Sequence, residues 1–227
     1  MNRDIGLKMI VESLNKKPTS FLILGQGALA ADILDVHPSA GCVGSFVEQQ
    51  FYSSKNLIEE HIPSYDNISN IDVSHFIIGV GGRELRKRFI KLAEQKALIP
   101  FPALTSHARY ISIKSIIGAG TVFGFNIIIE RNVCIGKHCL LMHNVLVSHD
   151  VLIGNNVVIA PGVVIEGNVT IGDNVFIGAN VTIAPNVIIG KNCHLSIGTA
   201  CFKDIPESKT VIGNPARIIS SINPSIA

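Results

Sequence analysis

Between Ile111 and Ala200 the chain reads ISIKSI IGAGTV FGFNII IERNVC IGKHCL LMHNVL VSHDVL IGNNVV IAPGVV IEGNVT IGDNVF IGANVT IAPNVI IGKNCH LSIGTA, fifteen units of six residues without a break. The first position of a unit is Ile, Leu or Val in fourteen of them and Phe123 in the other. The fifth is always Val, Ile, Thr, Ser or Cys, and the fourth is Asn or Gly twelve times. A fixed internal period of this kind marks a solenoid. Aliphatic and polar residues alternating over a few positions suit a short strand buried on one face. Asn or Gly at the fourth position supplies the positive φ that a sharp corner needs. A strand and a corner every six residues force the chain to coil, and stacked coils bury the first and fifth positions in one core.

The pattern resembles the hexapeptide repeat of the left-handed parallel β-helix, in which three units close one triangular coil. The left hand comes with that resemblance, since crossover connections are otherwise right-handed. Fifteen units then make five coils. Coils stack about 4.8 Å apart, the spacing of paired strands, so residues eighteen apart sit over one another.

The whole chain has 227 residues and a formal charge of +2, too small and too scattered to select nucleic acid. Apolar runs fall short of membrane-spanning length, and charges interrupt the opening MNRDIGLKMIVESLNKK, which does not read as a signal peptide. The five cysteines, Cys42, Cys134, Cys139, Cys193 and Cys201, form no CxxC pair. Cys139 and Cys193 fall on the inward fifth position, as free thiols buried in a protein of the reducing cytoplasm would.

Upstream of the repeat, residues 1–17 read as an amphipathic helix. FLILGQGALAADIL (21–34) follows as strand, glycine turn and helix, GCVGSFVE (41–48) as a second strand, and HFIIGVGGRELRKRFIKLAEQK (75–96) as a strand, a turn at Gly79, Gly81 and Gly82, and a long helix. Strands alternating with helices predict a small α/β domain with a parallel sheet, half of a Rossmann fold, over residues 1–103. IPFPALTSHARY (99–110) is the link into a β-helix domain over 104–227. Gly25-Gln26-Gly27 follows a strand and opens a helix, with Glu48 about twenty residues later, in the manner of a dinucleotide fingerprint. A half-fold seats one nucleotide at the helix N-terminus, where free N–H groups meet phosphate. Gly25, Gln26, Gly27, Glu48 and Gly81 are therefore the candidate substrate contacts. A tight strand-to-helix turn without a ligand is the plain alternative.

On the solenoid the fourth position departs from Asn or Gly only at Lys114, His138 and Asp150. Asp150 follows His149, at the outward third position of VSHDVL. An imidazole beside a carboxylate serves as a general base, the carboxylate fixing its tautomer. Eighteen residues on lies Gly167, whose N–H is placed as an oxyanion donor for a tetrahedral intermediate. Base and oxyanion site on one edge make an acyl-transfer site.

The half-Rossmann start, the coils, the SHD step and the terminal VIGNPAR (211–217) together resemble bacterial sugar acetyltransferases, over nearly the whole chain from Phe21 to Ile219. The branch is that of sialic-acid O-acetyltransferases and nucleotide-aminosugar N-acetyltransferases. The resemblance implies His149 as base, Asp150 as its support, and Gly167 as the amide holding the acetyl carbonyl. It implies a homotrimer with acetyl-CoA in the groove between subunits, touching Val158, Ala179 and Ile197, and with Arg217 near a CoA phosphate. A nucleotide-linked amino-dideoxysugar, acetylated on its 4-amino group, is the implied substrate, with O-acetylation of a sugar hydroxyl as the alternative; no metal, nucleic acid or membrane is implied. Members of the family carry a Gly-His-Gly turn where this chain has Gly27-Ala28-Leu29, and an acidic pair where it has Val47-Glu48.

Two other readings compete with this one. A zinc hydratase on the same fold needs three histidines, and His138 and His143 find Pro102 and Gly120 where register would put a third. A non-catalytic scaffold leaves the His149–Asp150 step without a purpose.

Overall fold

The computed structural model describes residues 20–25, 28–36, 42–46 and 73–219. The expected helix over 1–17, and Gln26, Gly27 and Glu48, lie outside them. The α/β unit comprises strand β1 (Phe21–Leu24), helix α1 (Ala28–Val36), β2 (Cys42–Phe46), β3 (His75–Ile78), helix α2 (Arg83–Gln95) and β4 (Ile99–Pro100). All pairings in its sheet are parallel and the order is β2-β1-β3-β4. β4 falls inside the stretch read as a link. Pro100 is compatible with that edge because the donors to the neighbouring strand are Ile99 and Phe101, at 2.7 and 2.9 Å, so the missing N–H is one the pairing does not use.

The rest is a left-handed parallel β-helix with three faces. The first carries Val122–Phe123, Leu140–Leu141, Val158–Ile159, Phe176–Ile177, His194–Leu195 and Thr210–Ile212. The second runs from Tyr110–Ile111 to Ala200–Cys201, and the third from Ile116–Ile117 to Ile188–Ile189. Pairing holds the eighteen-residue register, as in Leu140 with Val158 and Leu146 with Val164. The solenoid outruns the six-residue repeat at both ends. Leu104 already pairs with Val122, and Ile205 with Ile189. The last coil is two residues short, pairing His194 with Thr210, and that deletion hides it from a count of sixes. Antiparallel pairing of Thr210–Ile212 with Arg217–Ile219 then closes the first face.

The inward positions carry the core. Val145, Val151, Val157, Val163, Val169 and Val175 are essentially unexposed, and Cys139 and Cys193 join them as free thiols. The non-glycine corners adopt left-handed φ, at Asn126, Asn132, His138, Asn144, Asp150, Asn156 and from Asn168 to Asn192, between 53° and 65°. Second-position glycines at 118, 136, 154, 172 and 190 form one column. A Cβ at Gly136 would come within 2.6 Å of the Gly154 backbone, so coil packing itself requires them.

The α/β unit covers the first face. Phe21, Ile23, Ile33, Ile77 and Phe101 form one buried cluster with Val122, Leu140 and Val158. α2 docks on the corner between the third and first faces. Arg86, 1% exposed, donates from Nε to Asn156 Oδ1 (3.0 Å), from one terminal nitrogen to Val80 O (2.7 Å) and from the other to His138 O. Arg83 donates to the carbonyls of Asn192 and Cys193, at 3.1 and 2.9 Å. Burial holds the Arg86 guanidinium down at about 10. It remains a cation at neutral pH, satisfied entirely by neutral acceptors.

Candidate active site

His149 and Asp150 occupy the corner between the second and third faces, opposite the face that the α/β unit covers. Asp150 holds the left-handed conformation at φ 60°, and its Oδ2 stands 2.8 Å from Nδ1 of His149. Its other oxygen accepts a hydrogen bond from Asn132 Nδ2 at 2.9 Å. The bond from Asn132 first, and that from His149 second, hold the Asp150 carboxyl below its ordinary value. An ionised Asp150 at neutral pH assigns the proton to Nδ1 and leaves Nε2 as the acceptor. The imidazole keeps 43% of its surface open to an incoming group.

Gly167 lies against that ring: a Cβ there would stand 2.7 Å from Cε1 and 2.9 Å from Nε2 of His149. Along the same solenoid some third-position N–H groups, those of Phe125, Lys137 and Asn155, are capped by the third-position side chain one coil later. His143 Nδ1 accepts from Phe125 N at 2.9 Å, and Asn155 Oδ1 from Lys137 N at 2.8 Å. One coil after Gly167 stands Pro185, which has no side-chain acceptor. Among the described residues the Gly167 N–H makes no hydrogen bond. The structure thus brings together a tautomer-fixed imidazole and an uncommitted amide, two groups of the kinds that an acyl transfer would use as base and oxyanion donor.

The three expected acetyl-CoA contacts separate. Ala179 and Ile197 share a column with Phe125, His143 and Pro161 on the edge between the first and second faces, where Gly198 N–H meets Ala179 O at 2.8 Å. Ala179 is half-buried and Ile197 is exposed. Val158 departs from expectation. It faces outward from its coil, but the α/β sheet lies on top of it and leaves it no exposed surface, so it lines no open groove. Arg217 is exposed on the closing hairpin.

The glycine turns sort by cause. Gly25, at φ 124°, is buried, with a Cβ there only 2.5 Å from Val80, and a Cβ at Gly79 would collide with Ile23. Packing alone explains both. Gly81 and Gly82 lie before α2 with open space around them; the nearest atom to a Cβ at Gly81 is Met142 Cε at 4.0 Å. Of the described glycines in these two turns, they are the ones without a packing reason.

His138 and His143 do not converge. His138 is buried under Phe76, ring centroids 5.3 Å apart, at the corner α2 docks on, whereas His143 caps Phe125 on the next edge. A groove of about 630 Å³ beside Asp173, Ile188, Lys191 and Glu207 lies across the third face from the dyad and shares no residue with it.

Two contributors were missed in the sequence. Asn132 stands eighteen residues before Asp150 and was within reach of the same register argument. Glu130, whose Oε2 accepts the His149 backbone N–H at 3.0 Å, acts through side-chain reach across nineteen residues, and no spacing rule finds it.

Residues 135–167 and 168–196 match the family profile described as bacterial transferase hexapeptide (six repeats). No curated protein sequence matches the chain. Solved structures do. A variant of the perosamine N-acetyltransferase from Caulobacter crescentus, in complex with CoA and GDP-perosamine, is 18% identical with a TM-score of 0.79, covering 89% of this chain and 97% of its own. The acetyltransferase domain of PglB from Neisseria gonorrhoeae, in complex with acetyl coenzyme A, is 19% identical with a TM-score of 0.75, covering 89% and 100%. WeeI from Acinetobacter baumannii is 22% identical with a TM-score of 0.66, covering 88% and 100%. Residues 135–196 therefore carry the bacterial transferase hexapeptide repeat, on a fold shared with the perosamine N-acetyltransferase and the PglB acetyltransferase domain.

Proposed function

We propose that this chain is an acetyl-CoA-dependent acetyltransferase that acylates the 4-amino group of a nucleotide-linked amino-dideoxysugar. The observation that carries the reading is the His149–Asp150 pair set over Gly167 with its N–H uncommitted. Nε2 of His149 takes the proton of the amine as its nitrogen attacks the thioester carbonyl. Gly167 N–H donates to the carbonyl oxygen as that oxygen gains charge. Asp150 stabilises the imidazolium, which returns the proton to the sulfur as the carbon–sulfur bond breaks, leaving the amide and the free thiol. Ala179 and Ile197 offer an apolar column to the pantetheine arm, and Gly81 and Gly82, at the N-terminus of α2, offer backbone amides to the nucleotide phosphates. Solved structures similar to it in fold include one bound to CoA and GDP-perosamine and one bound to acetyl coenzyme A, ligands of the two classes this reading requires.

Geometry also supports a homotrimer. The α/β unit sits on the first face and the dyad on the edge opposite that face, so a sugar held at the glycine turns is presented to a partner subunit's dyad. Among the described residues no helix is long and apolar enough to cross a membrane. The deciding experiment measures CoA release from acetyl-CoA with nucleotide-linked 4-amino sugars and with free sialic acids in parallel. Turnover on the amino sugars is expected; turnover on sialic acid alone replaces N- by O-acetylation.

A further inference from the structure

The space that His149 needs above it creates a difficulty below. Some third-position amides are capped from the next coil, as at Phe125, Lys137 and Asn155, and the residue that would cap His149 is Gly167, where any side chain would enter the imidazole. The His149 N–H is instead met from the previous coil, by Oε2 of Glu130 at 3.0 Å. Glu130 is fixed at its own backbone: its N–H donates to Val147 O at 2.9 Å, and its carbonyl accepts from Ser115 Oγ at 2.6 Å. The two residues after it complete the support. Arg131 O accepts from Asp150 N at 3.0 Å, and Asn132 Nδ2 donates to Asp150 Oδ1 at 2.9 Å. Three consecutive residues, Glu130, Arg131 and Asn132, thus hold the two residues of the dyad one coil on.

The geometry points to Glu130 as a positioning residue for the reaction, its carboxylate fixing the backbone of His149 from beneath so that the face toward Gly167 stays clear. The inference rests on the reading of His149 as the base. A carboxylate accepting a backbone N–H is among the stronger hydrogen bonds, and small displacements of a base lower turnover steeply. Glu130 touches neither reacting atom in this arrangement, so its loss should act on the chemical step and spare substrate binding.

The test compares Glu130→Ala and Glu130→Gln in the full-length protein, with hydrogen exchange at the His149 amide followed by NMR beside steady-state acetyl transfer to a nucleotide-linked 4-amino sugar. In Glu130→Ala, exchange at His149 should quicken at least tenfold and kcat fall roughly tenfold, KM for both substrates staying within about twofold. Glu130→Gln keeps an acceptor oxygen and should restore exchange and kcat together, a rescue that a general loss of fold would not show. Slow exchange at Val158 and Val164, whose amides donate to Val175 O and Val181 O in the neighbouring coils, controls for unfolding. Wild-type kcat in Glu130→Ala overturns the proposal whatever the exchange rate does. Wild-type kcat in His149→Ala, measured alongside, is the separate result that removes the base itself.

Discussion

A single methyl group at Gly167 tests the site at the scale of the residue. Gly167→Ala would put a Cβ 2.7 Å from the His149 ring and push the imidazole aside, so turnover should fall by at least tenfold while the melting temperature moves little. His149→Ala should lower kcat by roughly 10²–10⁴-fold, the usual share of a positioned base, again with little change in melting. Asp150→Asn should cost less in rate and carries a pH signature. Its carboxyl titrates lower in the fold than in the unfolded chain, so its contribution is present above the unfolded value and lost as pH falls through the folded one. The melting difference between wild type and Asp150→Asn should therefore shrink on acidification, which thermal scans at neutral pH and near pH 3 can check. His149, Asp150 and Gly167 were legible because a fixed register converts spacing into contact. Val158 misled for the complementary reason: register says which way a side chain points, but not what a separate layer places on top of it.

At the scale of the element, the corner that α2 grips behaves as a hinge of polar atoms in an apolar joint. His138 is 7% exposed, its Nδ1 meets no partner among the described residues, and burial, then Arg86, then Lys137, push its imidazole down to about 4. A histidine held neutral stabilises the fold above its unfolded value near 6.5, and that stability is lost as pH falls toward 4. The loss is at most about 3 kcal/mol. His138→Asn, the residue usual at this corner, should flatten the decline in melting temperature between pH 6.5 and 4. Arg86→Met removes three donors and strands Val80 O, His138 O and Asn156 Oδ1, a destabilisation of roughly 3 kcal/mol. Limited proteolysis should then cleave the α/β unit before the solenoid. The sequence showed His138 as an exception to the corner rule without showing why. Its explanation is Phe76, sixty-two residues away and related to it by no period. β4 of the α/β sheet and the last coil of the solenoid were hidden for different reasons, prolines in the one and a two-residue deletion in the other.

For the whole molecule, the proposed substrate turn and the proposed base, on opposite sides of one prism, predict complementation. Subunits carrying His149→Ala, refolded together with subunits carrying Gly81→Trp, should recover activity that neither has alone. No recovery would place both functions within one subunit. Sedimentation should show the homotrimer, and a stable, active monomer would contradict it. The hairpin that closes the first face has a consequence of its own. A parallel solenoid is a one-dimensional crystal of strands, and its last coil presents the same unsatisfied edge that lets cross-β fibrils recruit the next molecule. Residues 217–219 run backward along that edge and occupy its hydrogen-bonding groups in the wrong direction for another coil to join. Removing them should turn the protein into a nucleus for filament growth, visible as a lag phase that shortens with protein concentration.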